Sequence, residues 1–348
     1  MTVFYVGSYT EMITDTFGGK GSGIYTVSLD DTTGKLRCLY ATESLNPAYL
    51  ALSEDKRYLY TITEVESKKE PKVKAFKIYP DFSLSLINEV SIPGSLPCHI
   101  ACQGKHIFIA CYGTGNMLHY NTTNEGALLE CNQNFKHSGS SINKVRQEGP
   151  HAHQVVIHPN NTTLFVPDLG IDQVKAYQFE QNVLRLNHSQ DIQIPAGFGP
   201  RHLVFNRNGD LGYVFNELTA EISIIKQNEY QIFRVIDNVK TLPDSFQAIP
   251  SASAIRLHPN GQFLYVANRT LNALTIFKIK DSHLELLGYQ YGEGTTLREF
   301  NISPNGKWLI ACFQDSDDTI VYKIKEDGLL HQVFKTKLLV SPVCVAFL

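Results

Sequence analysis

Arginine and histidine side chains stand directly before short apolar segments at several places in this sequence. Residues 199–205 read GPRHLVF, and the same layout occurs in PCHIACQ at 97–103, PHAHQVVIH at 150–158 and TLREFNIS at 296–303. Each segment has a turn signal, one or two polar residues and then an apolar run. Histidine can act as a general base near neutral pH, and arginine can stabilise a developing negative charge. The four segments therefore raise the question of which architecture would bring such residues together.

Two further charged residues follow apolar runs instead of preceding them. Glu217 lies in FNELT and Arg269 lies in ANRT, each directly after a segment that reads as an inner strand. A charged side chain at the end of a buried strand costs free energy unless it is paired. We therefore expect Glu217 and Arg269, together with Arg201 and His153, to be functional.

A hairpin pattern recurs six times along the chain. In each copy, Asn, Gly or Asp residues that tolerate positive φ separate two apolar runs, which is the strongest local signal of a β-hairpin. Alternating segments such as VKAFKIY and LSLINEVSI follow every hairpin, as expected for half-buried strands. Four strands per unit and a repeat of about 40–50 residues are typical of propeller blades. The six hairpins are LALSEDKRYLYTIT (50–63), IACQGKHIFIACY (100–112), VVIHPNNTTLFVPD (155–168), LVFNRNGDLGYVFN (203–216), IRLHPNGQFLYVAN (255–268) and FNISPNGKWLIACF (300–313).

The two ends of the chain supply a seventh unit. TVFYVGSYT, GSGIYTVSLDD and KLRCLYATES at the start read as three strands without a leading one, and PVCVAFL at the end reads as a leading strand with nothing after it. Pairing of the tail with the first segment would remove two open sheet edges. We predict an all-β, seven-bladed β-propeller with four antiparallel strands per blade, closed by the C-terminal strand, as a single domain over residues 1–348.

This architecture predicts where the polar residues lie. In a blade the first strand starts and the second strand ends at the same face, so we expect the residues at those positions to line one pocket. Asp168 could instead form a turn, and His99 and His202 could bond the backbone of a neighbouring blade. The first-strand row is His99, His151, His153, Arg201, His202 and Arg298, and the second-strand row is Ser8, Tyr9, Glu64, Tyr112, Asp168, Asn216, Glu217, Asn268, Arg269 and Gln314.

The composition argues against several kinds of partner. The formal net charge is −3 and the longest basic run is the lysine pair in SKKEPKVK, so we expect neither nucleic acid nor an anionic membrane as a partner. The N-terminal segment lacks the apolar core of a signal peptide, and no stretch of about 18 apolar residues occurs, which predicts a cytoplasmic protein. The seven cysteines form no CxxC pair and are expected to be buried free thiols in a reducing compartment. The oligomeric state cannot be read from the sequence.

His151 and His153 lie two residues apart on a predicted strand and would therefore point to the same side. This spacing could suggest zinc, but no third ligand of suitable spacing follows. No GxSxG motif is present either, so a serine acyl-enzyme is not expected. We predict neither a metal nor a cofactor.

The segments described above resemble the seven-bladed lactonase family, which includes bacterial 6-phosphogluconolactonases and fungal cis,cis-muconate lactonizing enzymes. The similarity runs over nearly the whole chain, from VGSYT at the start to REFNISPNGKWL. The order GPRH, NEL and NRT at one-blade spacing is its most specific part. The resemblance implies a cleft lined by His153, Arg201, Glu217 and Arg269, the same four residues that the charged positions indicate.

We hypothesise hydrolysis of a sugar lactone, 6-phosphoglucono-1,5-lactone, to the open acid in the pentose phosphate pathway. His153 or Glu217 would activate water, and Arg201 and Arg269 would face the oxyanion, which makes these four the predicted catalytic residues. Arg298 is a candidate for binding phosphate through its planar guanidinium. The predicted substrate-binding residues are Arg298, His99, His202 and Asn268.

Two alternatives are compatible with the same residues. One is lactonization or isomerization of a muconate-type dicarboxylate, in which two arginines would hold two carboxylates. The other is a non-catalytic propeller that binds a protein or a glycan at this face. The sequence also leaves open the exact lactone, the choice between His153 and Glu217 as the base, and which arginine binds phosphate.

Overall fold

The protein is almost entirely β-structure. The computed structural model describes all 348 residues, Met1–Leu348. The chain forms 31 strands and two short 3₁₀ turns, Ser67–Lys69 and His188–Gln190. None of its helical segments has the length and apolar character needed to span a bilayer.

Seven antiparallel sheets of four or five strands are the seven blades, which confirms the predicted fold class. Apolar residues alternate or run together in these segments, so the strands are half-buried or fully buried between neighbours. The strands are β1 (Thr2–Ser8), β4 (Ile24–Leu29) and β5 (Leu36–Thr42) in blade 1; β6 (Pro47–Leu52), β7 (Tyr58–Thr63), β8 (Lys72–Ile78) and β9 (Leu84–Ser91) in blade 2; β10 (Pro97–Gln103), β11 (His106–Cys111), β12 (Asn116–Thr122) and β13 (Leu128–Lys136) in blade 3; β14 (Val156–Ile157), β15 (Thr163–Asp168), β16 (Gln173–Glu180), β17 (Val183–Leu186) and β18 (Ile192–Gln193) in blade 4; β19 (Pro200–Phe205), β20 (Leu211–Asn216), β21 (Glu221–Gln227) and β22 (Phe233–Lys240) in blade 5; β23 (Ala252–Leu257), β24 (Phe263–Asn268), β25 (Ala273–Lys280) and β26 (His283–Tyr291) in blade 6; and β27 (Leu297–Ile302), β28 (Trp308–Phe313), β29 (Asp318–Ile324) and β30 (Leu330–Thr336) in blade 7, followed by β31 (Pro342–Phe347), which belongs to blade 1. Two further short strands, β2 (Met12–Thr14) and β3 (Phe17–Gly18), pair with each other in a separate two-stranded sheet between β1 and β4 along the chain.

The C-terminal strand completes the first blade, as predicted. The sheet has the order β31-β1-β4-β5, with β31 antiparallel to β1. Phe4 is the partner of Phe347 and Val6 is the partner of Val345. The rings of Phe4 and Phe347 pack with their centroids 5.2 Å apart. The first and last strands of the chain are therefore neighbours in one sheet.

The first strands of several blades carry a β-bulge at the end where the polar residues lie. In blade 5, Pro200 pairs with Asn216 and His202 with Phe215, so one residue, Arg201, is inserted between consecutive pairs. In blade 7 Arg298 is inserted in the same way, between pairs made by Leu297 and Glu299. A bulge changes the direction of the inserted side chain and is common beside functional sites. In a regular strand the side chains of consecutive residues such as Arg201 and His202 point to opposite faces of the sheet. The bulge allows these two side chains to approach each other.

The chain divides into two compact units. The first unit comprises Met1–Ile109, Leu118–Asn134 and Gly292–Leu348, and the second unit comprises Ala110–Met117 and Phe135–Tyr291. The prediction of a single domain stays a prediction.

Each unit has its own apolar core. In the first unit, Phe4 and Trp308 belong to one buried cluster. In the second unit, Phe165 and Phe233 pack edge to face with ring centroids 5.6 Å apart. Full burial of one such side chain contributes about 1.5–3 kcal/mol, so these clusters hold the strands that carry the polar residues. All seven cysteines are free thiols, as predicted, but the expectation that all are buried is wrong for Cys38, Cys102 and Cys131, which are half-buried.

Candidate active site

Glu217 is the centre of a buried charged cluster in the second unit. The residue follows β20, and 4% of its surface is exposed. Its backbone nitrogen donates to the carbonyl oxygen of Gly199 at 2.7 Å, and its carbonyl oxygen accepts from the nitrogen of Ala252 at 3.2 Å. Gly199 immediately precedes β19 and Ala252 begins β23. Blades 5 and 6 therefore both fix the backbone that carries this carboxylate.

Arg201 reaches the carboxylate from its bulge. Its Nε donates to Oε2 of Glu217 at 2.9 Å, and its Nη1 donates to the carbonyl oxygen of Ser253 at 2.7 Å. The same Nη1 lies 3.1 Å from Nε2 of His202. The side chain of Arg201 is 4% exposed, so contacts with protein atoms fix the orientation of its guanidinium group.

Arg269 contacts the same carboxylate oxygen from the end of the second strand of blade 6. Its Nη2 lies 3.0 Å from Oε2 of Glu217, and its side chain is 15% exposed. The backbone nitrogen of Arg269 donates to the carbonyl oxygen of Ser251 at 2.8 Å, which fixes the chain just after β24. The structure thus brings together Arg201, Glu217 and Arg269, three of the four residues predicted to be catalytic.

A third arginine, Arg146, was not predicted from the sequence. Its Nη2 donates to Oε1 of Glu217 at 2.6 Å and to the hydroxyl oxygen of Tyr112 at 3.2 Å. Arg146 lies in VRQEGPHAH, a segment without strand periodicity, so the repeat pattern gave no reason to select it. Its place in a Gly- and Pro-containing loop just before His151 and His153 is the one signal that could have indicated it.

The cluster carries an excess of positive charge. Three guanidinium groups face one carboxylate, which leaves a net charge of 3 − 1 = +2. Burial raises the pKa of Glu217, but the charges of Arg269, Arg201 and Arg146 outweigh this effect and hold it well below its ordinary value. Burial lowers the pKa of Arg146, but the Glu217 charge outweighs this effect and raises it. Both partners are therefore ionised at neutral pH.

His153 lies beside this cluster, at the edge of an aromatic wall. Its Nε2 is 3.9 Å from Oε2 of Glu217, beyond hydrogen-bonding distance. The His153 ring makes edge contacts with Tyr112 and His202, with centroids 5.6 and 5.5 Å apart. The backbone nitrogen of His153 donates to the carbonyl oxygen of Pro167 at 2.9 Å, so β15 fixes its position. The fourth predicted catalytic residue is thus within 4 Å of the carboxylate.

The prediction that His151 and His153 lie on one strand is wrong, because both precede β14, and His151 has a different environment from His153. Its ring stacks on Tyr112 with centroids 4.4 Å apart, and its Nδ1 lies 2.9 Å from the carbonyl oxygen of Tyr112. Its Nε2 is 3.2 Å from a carboxylate oxygen of Glu148. No group of three or more His, Cys, Asp or Glu side chains in the protein has an arrangement that could hold a metal ion.

Asn268 and His202 occupy different kinds of position among the predicted substrate-binding residues. The Asn268 amide nitrogen donates to the hydroxyl oxygens of Thr241 and Thr275 at 3.2 and 3.1 Å, which ties β24 to β25 and to the loop after β22. His202 contacts the guanidinium of Arg201 and the ring of His153. His202 is therefore part of the charged cluster, whereas the contacts of Asn268 support the strands. Their roles in binding substrate stay predictions.

The first unit contains a second cluster, built around Arg298. Its Nη2 donates to the hydroxyl oxygen of Tyr9 at 2.9 Å, and its guanidinium lies over the rings of Tyr9 and Phe17. The Tyr9 hydroxyl donates to Oε2 of Glu64 at 2.7 Å. His99 packs against Tyr49 with ring centroids 4.0 Å apart. The proposed substrate contacts of Arg298 and His99, and the prediction that both rows line one pocket, stay predictions.

Known proteins are similar to this chain over its whole length. A family model described as "Lactonase, 7-bladed beta-propeller" matches residues 3–347. A 6-phosphogluconolactonase of Bacillus subtilis is 30% identical over 352 residues, which cover 99% of this chain and 97% of that protein. The crystal structure of a candidate 6-phosphogluconolactonase from Bacteroides fragilis has a TM-score of 0.92 at 30% identity and covers 100% of this chain and 98% of that one. The structure of a periplasmic gluconolactonase from Pseudomonas aeruginosa has a TM-score of 0.90 at 26% identity, with 100% and 99% covered. The chain therefore belongs to the seven-bladed β-propeller lactonase family and is a lactone-hydrolysing enzyme.

Proposed function

We propose that this lactonase hydrolyses 6-phosphoglucono-1,5-lactone to 6-phosphogluconate. The observation that carries the proposal is the net charge of +2 around Glu217, which suits an anionic substrate. Relatives named 6-phosphogluconolactonase support the same substrate class. The proposed setting is the pentose phosphate pathway in the cytoplasm.

The proposed reaction begins with attack of water on the lactone carbonyl carbon. His153 takes a proton from the water, the carbonyl oxygen becomes an oxyanion, and the bond between the carbonyl carbon and the ring oxygen then breaks. The proton on His153 passes to the ring oxygen, which leaves as a hydroxyl group. A positioned base of this kind contributes about 10²–10⁴-fold to the rate.

Glu217 is better suited to a supporting role than to the role of base. Three arginines hold its pKa well below the ordinary value, so the carboxylate has little tendency to take a proton from water. It instead orders Arg201 and Arg269, whose guanidinium groups would stabilise the oxyanion by their positive charge. One such group typically contributes about 3 kcal/mol to transition-state stabilisation. The proposal therefore assigns His153 as the base and the arginines as the oxyanion donors.

A proton-release assay with freshly generated 6-phosphogluconolactone tests this function. The intact protein should accelerate acid release above the spontaneous rate, whereas Glu217→Gln and Arg201→Ala should bring the rate close to the spontaneous one. A rate equal to the buffer control for the intact protein would refute the proposed substrate. Folding of both variants is checked by circular dichroism, so that loss of structure is not taken for loss of catalysis.

Unphosphorylated gluconolactone is a second candidate substrate. The similarity to the Pseudomonas aeruginosa gluconolactonase favours it. The two lactones can be compared in the same assay by their values of kcat/KM. A preference for the phosphorylated lactone supports the first candidate, and equal values would show that the phosphate is not recognised.

A further inference from the structure

The segment His137–His151, which we call the arginine loop, connects β13 to the residues before β14 and carries Arg146. Its two ends meet at one buried carboxylate, that of Asp168. Oδ2 of Asp168 lies 2.5 Å from Nδ1 of His137, and Oδ1 accepts hydrogen bonds from the backbone nitrogens of His151 at 2.7 Å and Gly170 at 3.0 Å. Asp168 therefore holds the two ends of the arginine loop together.

Tyr177 also contacts the start of the arginine loop, through His137. Nε2 of His137 lies 2.6 Å from the hydroxyl oxygen of Tyr177, and the side chains of both residues are buried. Burial, and then the charge of Asp168, raise the pKa of Tyr177 well above its ordinary value. The hydroxyl therefore stays protonated, and each ring nitrogen of His137 lies within hydrogen-bonding distance of a buried oxygen. These two contacts fix the orientation of the His137 ring at the start of the loop.

The middle of the arginine loop is held by Gln147. This buried side chain donates from Nε2 to the carbonyl oxygen of Leu169 at 2.9 Å, and its Oε1 accepts from the backbone nitrogen of Asn143 at 3.1 Å. The Asn143 side chain in turn accepts from the backbone nitrogen of Arg146 at 3.1 Å. The turn that presents Arg146 is thus ordered before any ligand arrives, which lowers the entropic cost of binding.

Arg146 is the arginine of the cluster that a ligand can reach most easily. Its side chain is 40% exposed, compared with 15% for Arg269 and 4% for Arg201. Both of its side-chain contacts use Nη2, so the hydrogens on Nε and Nη1 have no protein acceptor. A guanidinium group has five N–H donors in a fixed plane, which suits a phosphate or a carboxylate.

We propose that Arg146 determines specificity by binding the phosphate of the substrate, and that Asp168 is a positioning residue that holds the arginine loop for this purpose. The inference rests on the proposed function, because it names the residue that recognises the charge of the same substrate. It also selects Arg146 over Arg298, the candidate that the sequence suggested.

The test compares kcat/KM for 6-phosphogluconolactone with kcat/KM for gluconolactone in the intact protein, Arg146→Met and Arg146→Lys. Arg146→Met should reduce the phosphate preference about 10- to 100-fold, the range of one charge-assisted contact, mainly through a higher KM for the phosphorylated lactone. Arg146→Lys should keep part of the preference, because it keeps the charge and loses the planar fork. Lys144→Met, an exposed lysine of the same loop, is the charge-matched control and should keep the full preference.

The role of Asp168 has its own readout. Asp168→Asn keeps an oxygen for the two backbone N–H groups but removes the charge that faces His137. As a single substitution, Asp168→Asn should lower the phosphate preference. Added to Arg146→Met, it should cause no further loss of this preference. Equal losses for both lactones, or losses that add in the double variant, would show a general structural role and contradict the positioning role.

Two outcomes separate this inference from the proposed function. If the intact protein turns over neither lactone, the proposed function fails, and calorimetric titration with 6-phosphogluconate then decides the inference: weaker binding by Arg146→Met supports it and equal binding overturns it. If both lactones turn over with a phosphate preference that Arg146→Met retains and Arg298→Met loses, the function stands and the inference is wrong.

Discussion

Two buried carboxylates, Glu217 in the second unit and Glu64 in the first, each follow the second strand of a blade, yet their surroundings differ in charge. Glu217 faces three guanidinium groups. Glu64 accepts the hydroxyl hydrogen of Tyr9, whose oxygen accepts in turn from Arg298. The Glu217 cluster has a net charge of +2. The hydrogen-bonded series Arg298–Tyr9–Glu64 instead contains one positive and one negative charge.

The difference shows that the same position in the repeat can belong to clusters of different net charge. Burial raises the pKa of Tyr9 well above its ordinary value, so its hydroxyl stays a neutral bridge between an acid and a base. Such a balanced, bridged arrangement stabilises the fold. The net positive charge around Glu217 instead favours the binding of an anion. It would also stabilise an oxyanion that forms there. The following predictions test this contrast.

Replacing Glu217 with Gln should have the largest effect. The variant leaves three buried or half-buried guanidinium groups without their carboxylate, and loss of one partner of a buried pair costs about 3–5 kcal/mol of unfolding free energy. Urea denaturation followed by circular dichroism measures this loss. Glu64→Gln is the matched change and should cost less, because the new amide oxygen still accepts the Tyr9 hydroxyl. Equal losses would contradict the contrast.

Replacing His153 with Asn should remove the proposed general base and reduce kcat/KM about 10²–10⁴-fold. The unfolding free energy should fall less than in Glu217→Gln, because Nε2 of His153 is 3.9 Å from Glu217 and the carboxylate keeps its three arginine partners in this variant. Steady-state kinetics measures the first quantity and denaturation the second. His331→Asn, in the exposed position of β30, is the control and should match the unmodified protein.

Arg201→Met should lower kcat about 10²-fold, since one donor to an oxyanion is worth about 3 kcal/mol. Arg298→Met should lower kcat less, because its guanidinium is engaged with the Tyr9 hydroxyl and two aromatic rings. Single-turnover measurements separate chemistry from binding in both variants. A larger loss of kcat in Arg298→Met would reverse the assignment of the two clusters.

A pair of Tyr→Phe substitutions sharpens the contrast further. Tyr9→Phe removes a buried hydroxyl that joins Arg298 and Glu64 and should cost about 1–3 kcal/mol of stability. Tyr112→Phe removes a half-buried hydroxyl that accepts from Arg146 and should cost less than about 1 kcal/mol. Thermal unfolding measures both. The contrast fails if Tyr112→Phe is the more destabilising change.

The smallest expected effect is on the pH dependence of the unfolding free energy at acidic pH. The pKa of Glu217 is depressed in the folded protein, so its ionised form contributes stability above the unfolded value of about 4.3, and this contribution is lost as the pH falls towards the folded pKa. The unfolding free energy of the intact protein should therefore fall more steeply below about pH 4 than that of Glu217→Gln. Denaturant titrations between neutral and acidic pH measure the two slopes. Parallel slopes would mean that Glu217 has an ordinary pKa.

The sequence predicted the blades well because hairpins depend on local signals, but it placed His151 and His153 on a strand, whereas β14 begins only at Val156. Hairpin turns and alternating segments repeat along the chain, and charged residues at strand ends stand out as costly to bury. Those signals led to Arg201, Glu217, Arg269 and His153, which the structure places in one unit and around one carboxylate.

Arg146 and the bulges could not be predicted in the same way. Arg146 reaches Glu217 from a loop whose course is set by contacts with Asp168, Leu169 and Tyr177, which are distant from it in sequence. The bulge at Arg201 adds one residue to a strand without interrupting its apolar pattern. Both features depend on tertiary packing, which periodicity does not report.

The pairing of β1 with β31 has a consequence for how the molecule is made. During synthesis β1 leaves the ribosome long before β31, so the edge of β1 that pairs with β31 has no partner until β31 has emerged. Bringing together two strands separated by that many residues costs about 5 kcal/mol of loop-closure entropy by polymer scaling. Contacts between neighbouring residues, which form early in folding, do not offset this cost. We therefore expect a late, slow step in folding, in which a nascent or stalled chain presents an open edge to chaperones or to other copies of itself.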